Sequence, residues 1–147
     1  MKTELEFCTN RKAYHDYSIV DTIEVGIVLS GMEVKSIRNK MISISGAYVQ
    51  VLKGELWLIG SSIAGSNYGF NASYKSDRQR KLLCHKKQIV EIKHSTEAKG
   101  LTAVPLKVYE KNGRIKLLVG IARGKNLVDK RQSLKNKTID RDISRYR

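Results

Sequence analysis

The sequence is poor in several features that secreted and membrane proteins need. Only two of its 147 residues are cysteine, Cys8 and Cys84, so we expect no disulfide framework and a reducing, cytoplasmic compartment. No apolar run approaches the length of a spanning helix, and the first residues lack the apolar core of a secretory signal. Acidic residues are also few, 14 against 28 basic ones, which leaves a net charge of +14. This balance favours a polyanionic partner, nucleic acid rather than a membrane.

Motifs of enzymes and metal sites are absent as well. The sequence has no P-loop and no G-x-G-x-x-G run. The only soft-metal candidates are Cys8, His15, Cys84, His85 and His94, and their spacing fits no common zinc pattern. We therefore expect no metal, no cofactor and no catalysis. A hydrolase that uses Cys84 and His85 is the alternative from a different class, but adjacent side chains usually point apart and no oxyanion motif accompanies them.

The chain divides into a body, residues 1–122, and a basic tail, residues 123–147. The tail has nine Lys/Arg against three Asp, a net charge of +6, and its apolar residues are too sparse to form a core. We expect the tail to be disordered in isolation and to become ordered when a polyanion neutralises it. The alternative is a solvated cationic tail without a specific role. The body keeps a net charge of +8.

The pattern of the body predicts a mainly β fold with two or three short helices. The odd positions from Tyr17 to Leu29 are apolar except for Asp21, which is typical of a half-buried strand, and Glu24 then points away from the core. Strands are predicted at residues 14–29, 47–52, 55–59, 101–109 and 114–122, and helices from the Ser30 capping box to about residue 39 and at residues 85–99. Together, these strands and helices predict a small, partly open β-barrel of the OB type.

Three smaller predictions concern single residues and one loop. Trp57 lies in an apolar strand and is expected in the core. Pro105, the only proline, predicts an edge strand or a bulge. Residues 64–80 form a long loop in which Tyr68, Phe70 and Tyr74 are interleaved with Gly, Ser and Asn before several basic residues. Its aromatic rings suit stacking on unpaired bases, and a mobile hairpin tip with locally packed rings is an equal alternative.

Basic residues in the body predict an RNA-binding face. The candidates are Asn10, Arg11, Lys12, Lys35, Arg38, Arg78, Arg80 and Lys81. Cations of this kind contact phosphates, whereas Asn10, Glu24 and the Tyr residues suit base edges or ribose 2′-hydroxyls. A surface ion pair between Glu24 and a neighbouring Lys is the alternative for that residue.

Five runs of the sequence resemble the SmpB family, the SsrA-binding proteins of bacterial trans-translation. The runs are NRKAYHDYSI from Asn10, EVGIVLSGMEVKSIR from Glu24, RKLLCHK from Arg80, VPLKVY from Val104 and ARGKNLVDKR from Ala122. They occur in this order over nearly the whole chain, so the chain is identified as a member of that family.

The resemblance implies an OB-fold, monomeric protein that binds the tRNA-like domain of transfer-messenger RNA (tmRNA). It implies that Asn10, Glu24 and Leu83 contact this RNA, with Arg11, Lys12 and the basic loop in support. It also implies that the protein carries tmRNA to stalled ribosomes, where the tail forms a helix in the empty mRNA channel near the decoding centre. The tail residues that it implicates are Gly124, Lys125, Asp129, Lys130 and Arg131. Val128 stands where the family commonly has an aromatic residue or His, so ring stacking is not implied there. A general structured-RNA-binding or ribosome-associated OB-fold protein is the alternative.

Overall fold

The computed structural model describes residues 4–64 and 74–124. Within these ranges it contains a seven-stranded antiparallel sheet, a two-stranded sheet and three helices. The strands are β1 (Glu4–Thr9), β2 (Tyr17–Ile27), β3 (Ile42–Ser43), β4 (Tyr48–Leu52), β5 (Glu55–Ile59), β6 (Ser62–Ile63), β7 (Arg80–Leu83), β8 (Thr102–Lys111) and β9 (Arg114–Gly124). The helices are α1 (Arg11–Asp16), α2 (Gly31–Arg38) and α3 (Lys86–Glu97). None of the three helices in the described ranges is long and apolar enough to cross a membrane.

The large sheet curls into a barrel. Its strand order is β1-β8-β9-β2-β7-β5-β4, and the long strand β2 pairs with β9 along its length and with β7 at its far end. Strand β4, at one edge, comes back into contact with β8, near the other edge. The predicted fold class, a mainly β chain in a small OB-type barrel with short helices, is therefore confirmed.

The core lies inside the curl of the sheet. Val25, Leu82 and Leu117, on neighbouring strands, are each at most 2% exposed. Helix α2 contributes Ile37 to the same cluster and helix α3 contributes Ile92. Because α3 contacts both β4 and β8, it closes the end of the barrel at which these strands meet.

Local signals in the sequence place the turns and one helix start correctly. Lys53-Gly54 and Asn112-Gly113 join two hairpins, and all four residues have positive φ between 52° and 80°, the backbone of a type I′ turn whose twist matches that of the strands. The Ser30 hydroxyl accepts from the backbone amide of Glu33 at 3.1 Å, and the Glu33 carboxylate accepts from the Ser30 amide at 3.1 Å. The predicted capping box of α2 is thus confirmed.

The first predicted strand begins later than expected. Residues 11–16 form helix α1, because the Asn10 side-chain oxygen accepts from the backbone amide of Ala13 at 3.1 Å and caps the helix. Strand β2 then starts at Tyr17. The sequence reading also missed β1, which pairs with β8 and makes β8 an interior strand.

Two single-residue predictions meet different outcomes. The register of β8 and β9 shifts after Pro105, which confirms the bulge, although β8 is not an edge strand. The prediction that Trp57 belongs to the core is wrong. Trp57 is half-buried and faces away from Leu56 and Leu58, which are fully buried, because side chains on a strand alternate between its two faces.

Candidate nucleic-acid interface

The outer face of the sheet, opposite the core, carries three of the predicted residues. Since Val25 and Leu82 face inward, the alternation along β2 and β7 turns Glu24, Lys81 and Leu83 outward. Strand register extends this face across β9 and β8, where residues paired with one another share a face. The further outward residues are Lys107, Tyr109, Lys111, Arg114, Lys116 and Leu118. We call this surface the outer face; five of its nine named residues are basic.

Helix α1 covers one end of the outer face. Ala13 packs there with Leu106, Val104 and Ala122 in a second, smaller core. Gly120 allows this packing, because a Cβ atom at that position would lie 2.7 Å from a methyl carbon of Leu106. The covered end is apolar, and the part of the face beyond α1 carries the charged residues.

Asn10 lies inside the protein and holds α1 in place. Its side chain is 3% exposed, and Nδ2 donates to the carbonyl oxygens of Pro105 at 2.8 Å and Ile44 at 3.2 Å. With Oδ1 on the Ala13 amide, both donor protons and the acceptor are already used inside the protein. The structure thus places Asn10 beneath the exposed residues Arg11 and Lys12 rather than at the surface.

Glu24 is the acidic residue at the centre of the outer face. The Tyr109 hydroxyl donates to its Oε2 atom, and Lys111 Nζ lies 3.5 Å from the same oxygen. The hydrogen bond from Tyr109, with the nearby charges of Lys111 and Lys116, lowers the pKa of Glu24 below its ordinary value. The side chain is 35% exposed, so the face presents a charged hydrogen-bond acceptor among cations at neutral pH. The ion pair with a lysine, foreseen as the alternative, is present together with the tyrosine contact.

Leu83 and Arg38 of α2 line the same shallow cavity. The cavity has a volume of about 310 Å³, and Gly26, Leu83, Arg38, Arg114 and Lys116 line part of it. Leu83 is 51% exposed. An apolar side chain beside three cations is a suitable surface for a base or ribose and its phosphates.

Arg80, a predicted RNA contact, lies in the interior. Its side chain is 0% exposed, and Nη2 lies 2.8 Å from Oε2 of Glu33, which is also fully buried. Nη1 donates to Ser61 Oγ at 3.1 Å and to the Arg78 carbonyl at 2.8 Å, and Nη2 also reaches the Ser76 carbonyl at 2.9 Å. The guanidinium therefore binds protein groups on every side and has no surface that faces solvent.

Arg78 shares the same carboxylate. Its Nε donates to Glu33 Oε2 at 3.1 Å, and its side chain is 38% exposed. Burial raises the pKa of Glu33, but hydrogen bonds from Arg78, the Ser30 amide and Arg80 outweigh it and bring the pKa to about 2. This buried cluster ties helix α2 to the chain that leads into β7.

The other predicted residues are exposed or lie outside the described ranges. Arg11 and Lys35 are exposed, Lys12 pairs with Asp16 at 3.3 Å, and Lys81 pairs with Glu55 at 2.9 Å. Gly124 is the last residue of β9 and lies opposite Tyr17. The tail residues Lys125, Val128, Asp129, Lys130 and Arg131 and the loop aromatics Tyr68 and Phe70 lie outside the described ranges. Tyr74, the third loop aromatic, is half-buried, and its hydroxyl donates to Glu33 Oε2 at 3.0 Å.

The sequence reading missed the contribution of β8 and β9 to this face. Tyr109, Arg114 and Lys116 were not among the candidates, although they share the outer face with Glu24. The signal was present, since polar residues alternate with apolar ones on both sides of the Asn112-Gly113 turn.

The cysteines and histidines in the described part of the chain are the candidates for a metal site or a nucleophile. No group of three or more His, Cys, Asp or Glu residues there could hold a metal ion. Burial raises the pKa of both Cys8 and Cys84 above the ordinary thiol value, which works against a thiolate nucleophile at neutral pH. The backbone amide of His85 donates to the Gln88 side chain at 3.1 Å at the start of α3.

Comparison with known proteins identifies the family. A family model described as SmpB protein matches residues 7–147. The chain belongs to the SmpB family. Its SmpB relatives include SsrA-binding proteins of Streptococcus thermophilus, 51% identical, and Streptococcus pneumoniae, 48% identical, each aligned over 136 residues that cover 92% of this chain and 88% of the relative. A solved structure described as "tmRNA-SmpB: a journey to the center of the bacterial ribosome" is 39% identical, with a TM-score of 0.68 and 94% of each chain covered.

Proposed function

We propose that this protein binds tmRNA and acts with it on the ribosome in trans-translation, as an RNA-binding factor of the cytoplasm and not as an enzyme. The name of its relatives, SsrA-binding protein, and the tmRNA-SmpB description of its structural relative support the proposal. The observation that carries it is the outer face, where the Glu24 carboxylate stands among cations beside the exposed Leu83.

Each kind of group on the outer face has a different task in RNA binding. The cations contact phosphates and supply most of the affinity, which therefore depends on salt. Glu24 accepts a hydrogen bond from a base N–H or a ribose 2′-hydroxyl, because a phosphate has no proton to donate at neutral pH. Leu83 and the adjoining cavity receive the apolar face of a base or sugar. We also propose phosphate contacts for the exposed or partly exposed cations Arg11, Lys12, Lys35, Arg38, Arg78 and Lys81.

Two of the sequence candidates act indirectly in this proposal. Asn10 holds α1 so that Arg11 and Lys12 face the RNA. Arg80 joins β7 to α2 through Glu33 and thereby keeps Leu83 and Arg38 on either side of the cavity.

We propose that residues 1–122 bind the tRNA-like domain of tmRNA as a monomer. Residues 123–147 bind the ribosome. Gly124, Lys125, Asp129, Lys130 and Arg131 belong to the second part, in the mRNA channel near the decoding centre. The net charge of +6 on residues 123–147 suits a site lined by ribosomal RNA.

The division is tested with the full chain and a chain that ends at Gly124, which keeps every described strand. Binding to the tRNA-like domain of tmRNA is measured over a range of salt concentrations, with an ordinary tRNA as competitor. We expect both chains to bind with similar affinity and to resist the competitor. Equal affinity for tRNA and for unrelated hairpin RNAs would instead favour the general RNA-binding alternative. The shortened chain is expected to lose tagging on stalled ribosomes, and full tagging by it would contradict the assigned role of the tail.

The proposed role of Glu24 predicts a change in RNA affinity opposite to the change that charge alone predicts. Removal of an acidic residue from a protein of net charge +14 should strengthen binding to a polyanion through charge alone. We expect Glu24→Ala to weaken binding to the tRNA-like domain. Glu91→Ala, which removes the same charge from an exposed position of α3, is the matched control and should leave affinity equal or slightly higher. If both variants behave alike, Glu24 is not an RNA contact.

A further inference from the structure

Tyr109 fixes the Glu24 carboxylate through one of its two oxygens. The tyrosine is 7% exposed, and its hydroxyl donates to Oε2, the atom that Lys111 Nζ also approaches at 3.5 Å. Oε1 accepts no hydrogen bond from the residues that the structure describes. Both constraints thus act on one oxygen, and the other is left for a partner.

This arrangement prepares Glu24 for binding before a partner arrives. A glutamate has three rotatable side-chain bonds, and an exposed side chain loses conformational freedom when binding orders it. Tyr109 has only two such bonds and its ring is buried, so its hydroxyl stands at a fixed point on the outer face. The hydrogen bond from this hydroxyl therefore holds the Glu24 carboxylate in one position.

We propose that Tyr109 is the positioning residue for Glu24, and that its hydroxyl orients the carboxylate so that Oε1 meets a hydrogen-bond donor of the RNA, a base N–H or a ribose 2′-hydroxyl. This inference rests on the proposed function. The charged groups that face Glu24 are Lys111 of β8 and Lys116 of β9. They attract phosphates to the surroundings, while the oriented carboxylate repels a phosphate from this one point and accepts a donor there. Tyr109 and Glu24 together therefore act on specificity more than on total affinity.

The test is Tyr109→Phe, which removes only the hydroxyl. We expect its affinity for the tRNA-like domain of tmRNA to fall by about threefold to tenfold, the factor that corresponds to one hydrogen bond of typical net strength. Tyr48→Phe, on the exposed edge strand β4, removes the same group elsewhere and is expected to leave affinity unchanged. Urea unfolding of both variants shows whether they remain folded. Unchanged affinity of Tyr109→Phe, in a chain for which Glu24→Ala does weaken binding, would overturn the inference and leave the proposed function standing.

A double-mutant cycle separates positioning from direct contact. If Tyr109 acts through Glu24, Tyr109→Phe has no further effect on affinity in the Glu24→Ala background. An equal loss in both backgrounds would mean that Tyr109 meets the RNA itself, and the inference would be wrong. If Glu24→Ala binds normally, the proposed role of Glu24 fails first.

A titration of the free protein tests the contact without RNA. The carboxyl carbon of Glu24, followed by NMR, should titrate at lower pH in the wild-type protein than in Tyr109→Phe, because the hydroxyl stabilises the charged form. The same titration midpoint in both proteins would refute the positioning role even if RNA binding were lost for another reason.

Discussion

The buried pair of Glu33 and Arg80 gives the most exact prediction of stability. Both side chains are 0% exposed and lie 2.8 Å apart. Glu33→Gln keeps the shape of the side chain but leaves the Arg80 guanidinium without a counter-charge in the interior, a change that costs about 3–5 kcal/mol in other buried pairs. The pKa of Glu33 leads to a similar figure. A fall from 4.5 to about 2 corresponds to roughly 3 kcal/mol of preferential stabilisation of the charged form.

Urea unfolding followed by circular dichroism measures this loss directly. The matched control is Glu55→Gln, whose partner Lys81 also lies on β7 at 2.9 Å, but with both side chains more than 40% exposed. Exposed pairs contribute about 0–1 kcal/mol, so the control should stay within that range of the wild-type protein. A loss below about 1 kcal/mol in Glu33→Gln would refute the reasoning, because Arg80 would then have found water or another partner.

A second variant shows whether the cost comes from the unpaired charge. Arg80→Met removes the buried cation. In the double variant with Glu33→Gln, the interior therefore holds no Arg80 guanidinium that lacks a counter-charge. The double variant should lose less stability than the two single variants added together. Simple additivity would show that Glu33 and Arg80 stabilise the fold independently.

Acidification should remove the contribution of Glu33 to the free energy of unfolding over a defined range of pH. Its pKa in the folded protein, about 2, lies below the ordinary 4.5, so the stabilisation is complete above pH 4.5 and is lost as the pH falls from there toward 2. Glu33→Gln lacks this contribution at every pH. The free energies of unfolding of the wild-type protein and the variant should therefore converge on acidification, and a constant difference between them across that range would contradict the assigned pKa.

Two further predictions concern the end of the outer face that α1 covers. Gly120→Ala should lower the melting temperature and cost about 1–3 kcal/mol, because the new methyl group meets the buried Leu106 at 2.7 Å; an unchanged melting temperature would show free space beside Leu106. Asn10→Ala should lose the cap on the Ala13 amide and both donors to backbone carbonyls, at about 1–3 kcal/mol for unsatisfied buried groups. Asn10→Asp should keep the cap but place a buried carboxylate oxygen against the carbonyl oxygens of Pro105 and Ile44, so in urea unfolding at neutral pH it should be the less stable of the two. Equal stability of the two variants would mean that the carboxylate is not held against these carbonyls.

The parts of the fold that the sequence predicts are those that local chemistry decides. The Asn112-Gly113 turn, the Ser30 capping box and the alternation that turns Glu24 outward each depend on residues within a few positions of one another. The start of β2 was misplaced because the Asn10 cap of helix α1 is itself held in place by Ile44 and Pro105, which are distant in sequence. The residues predicted for the outer face were incomplete for the same reason, since only strand register brings β8 and β9 beside β2.

Strand β7 shows how one short run serves both stability and binding. Arg80 and Leu82 face inward, where Arg80 meets a carboxylate 47 positions away and Leu82 joins the core. Lys81 and Leu83 face outward beside Gly26 and Trp57. Composition alone treats Arg80 and Lys81 as equivalent cations, and charge counting therefore assigned both to RNA. The alternation of the strand distinguishes them, because a cation in register with a core leucine must find its counter-charge inside the protein. Its neighbour Lys81 lies at the surface, where the exposed pair with Glu55 is weak enough for a phosphate to replace the carboxylate.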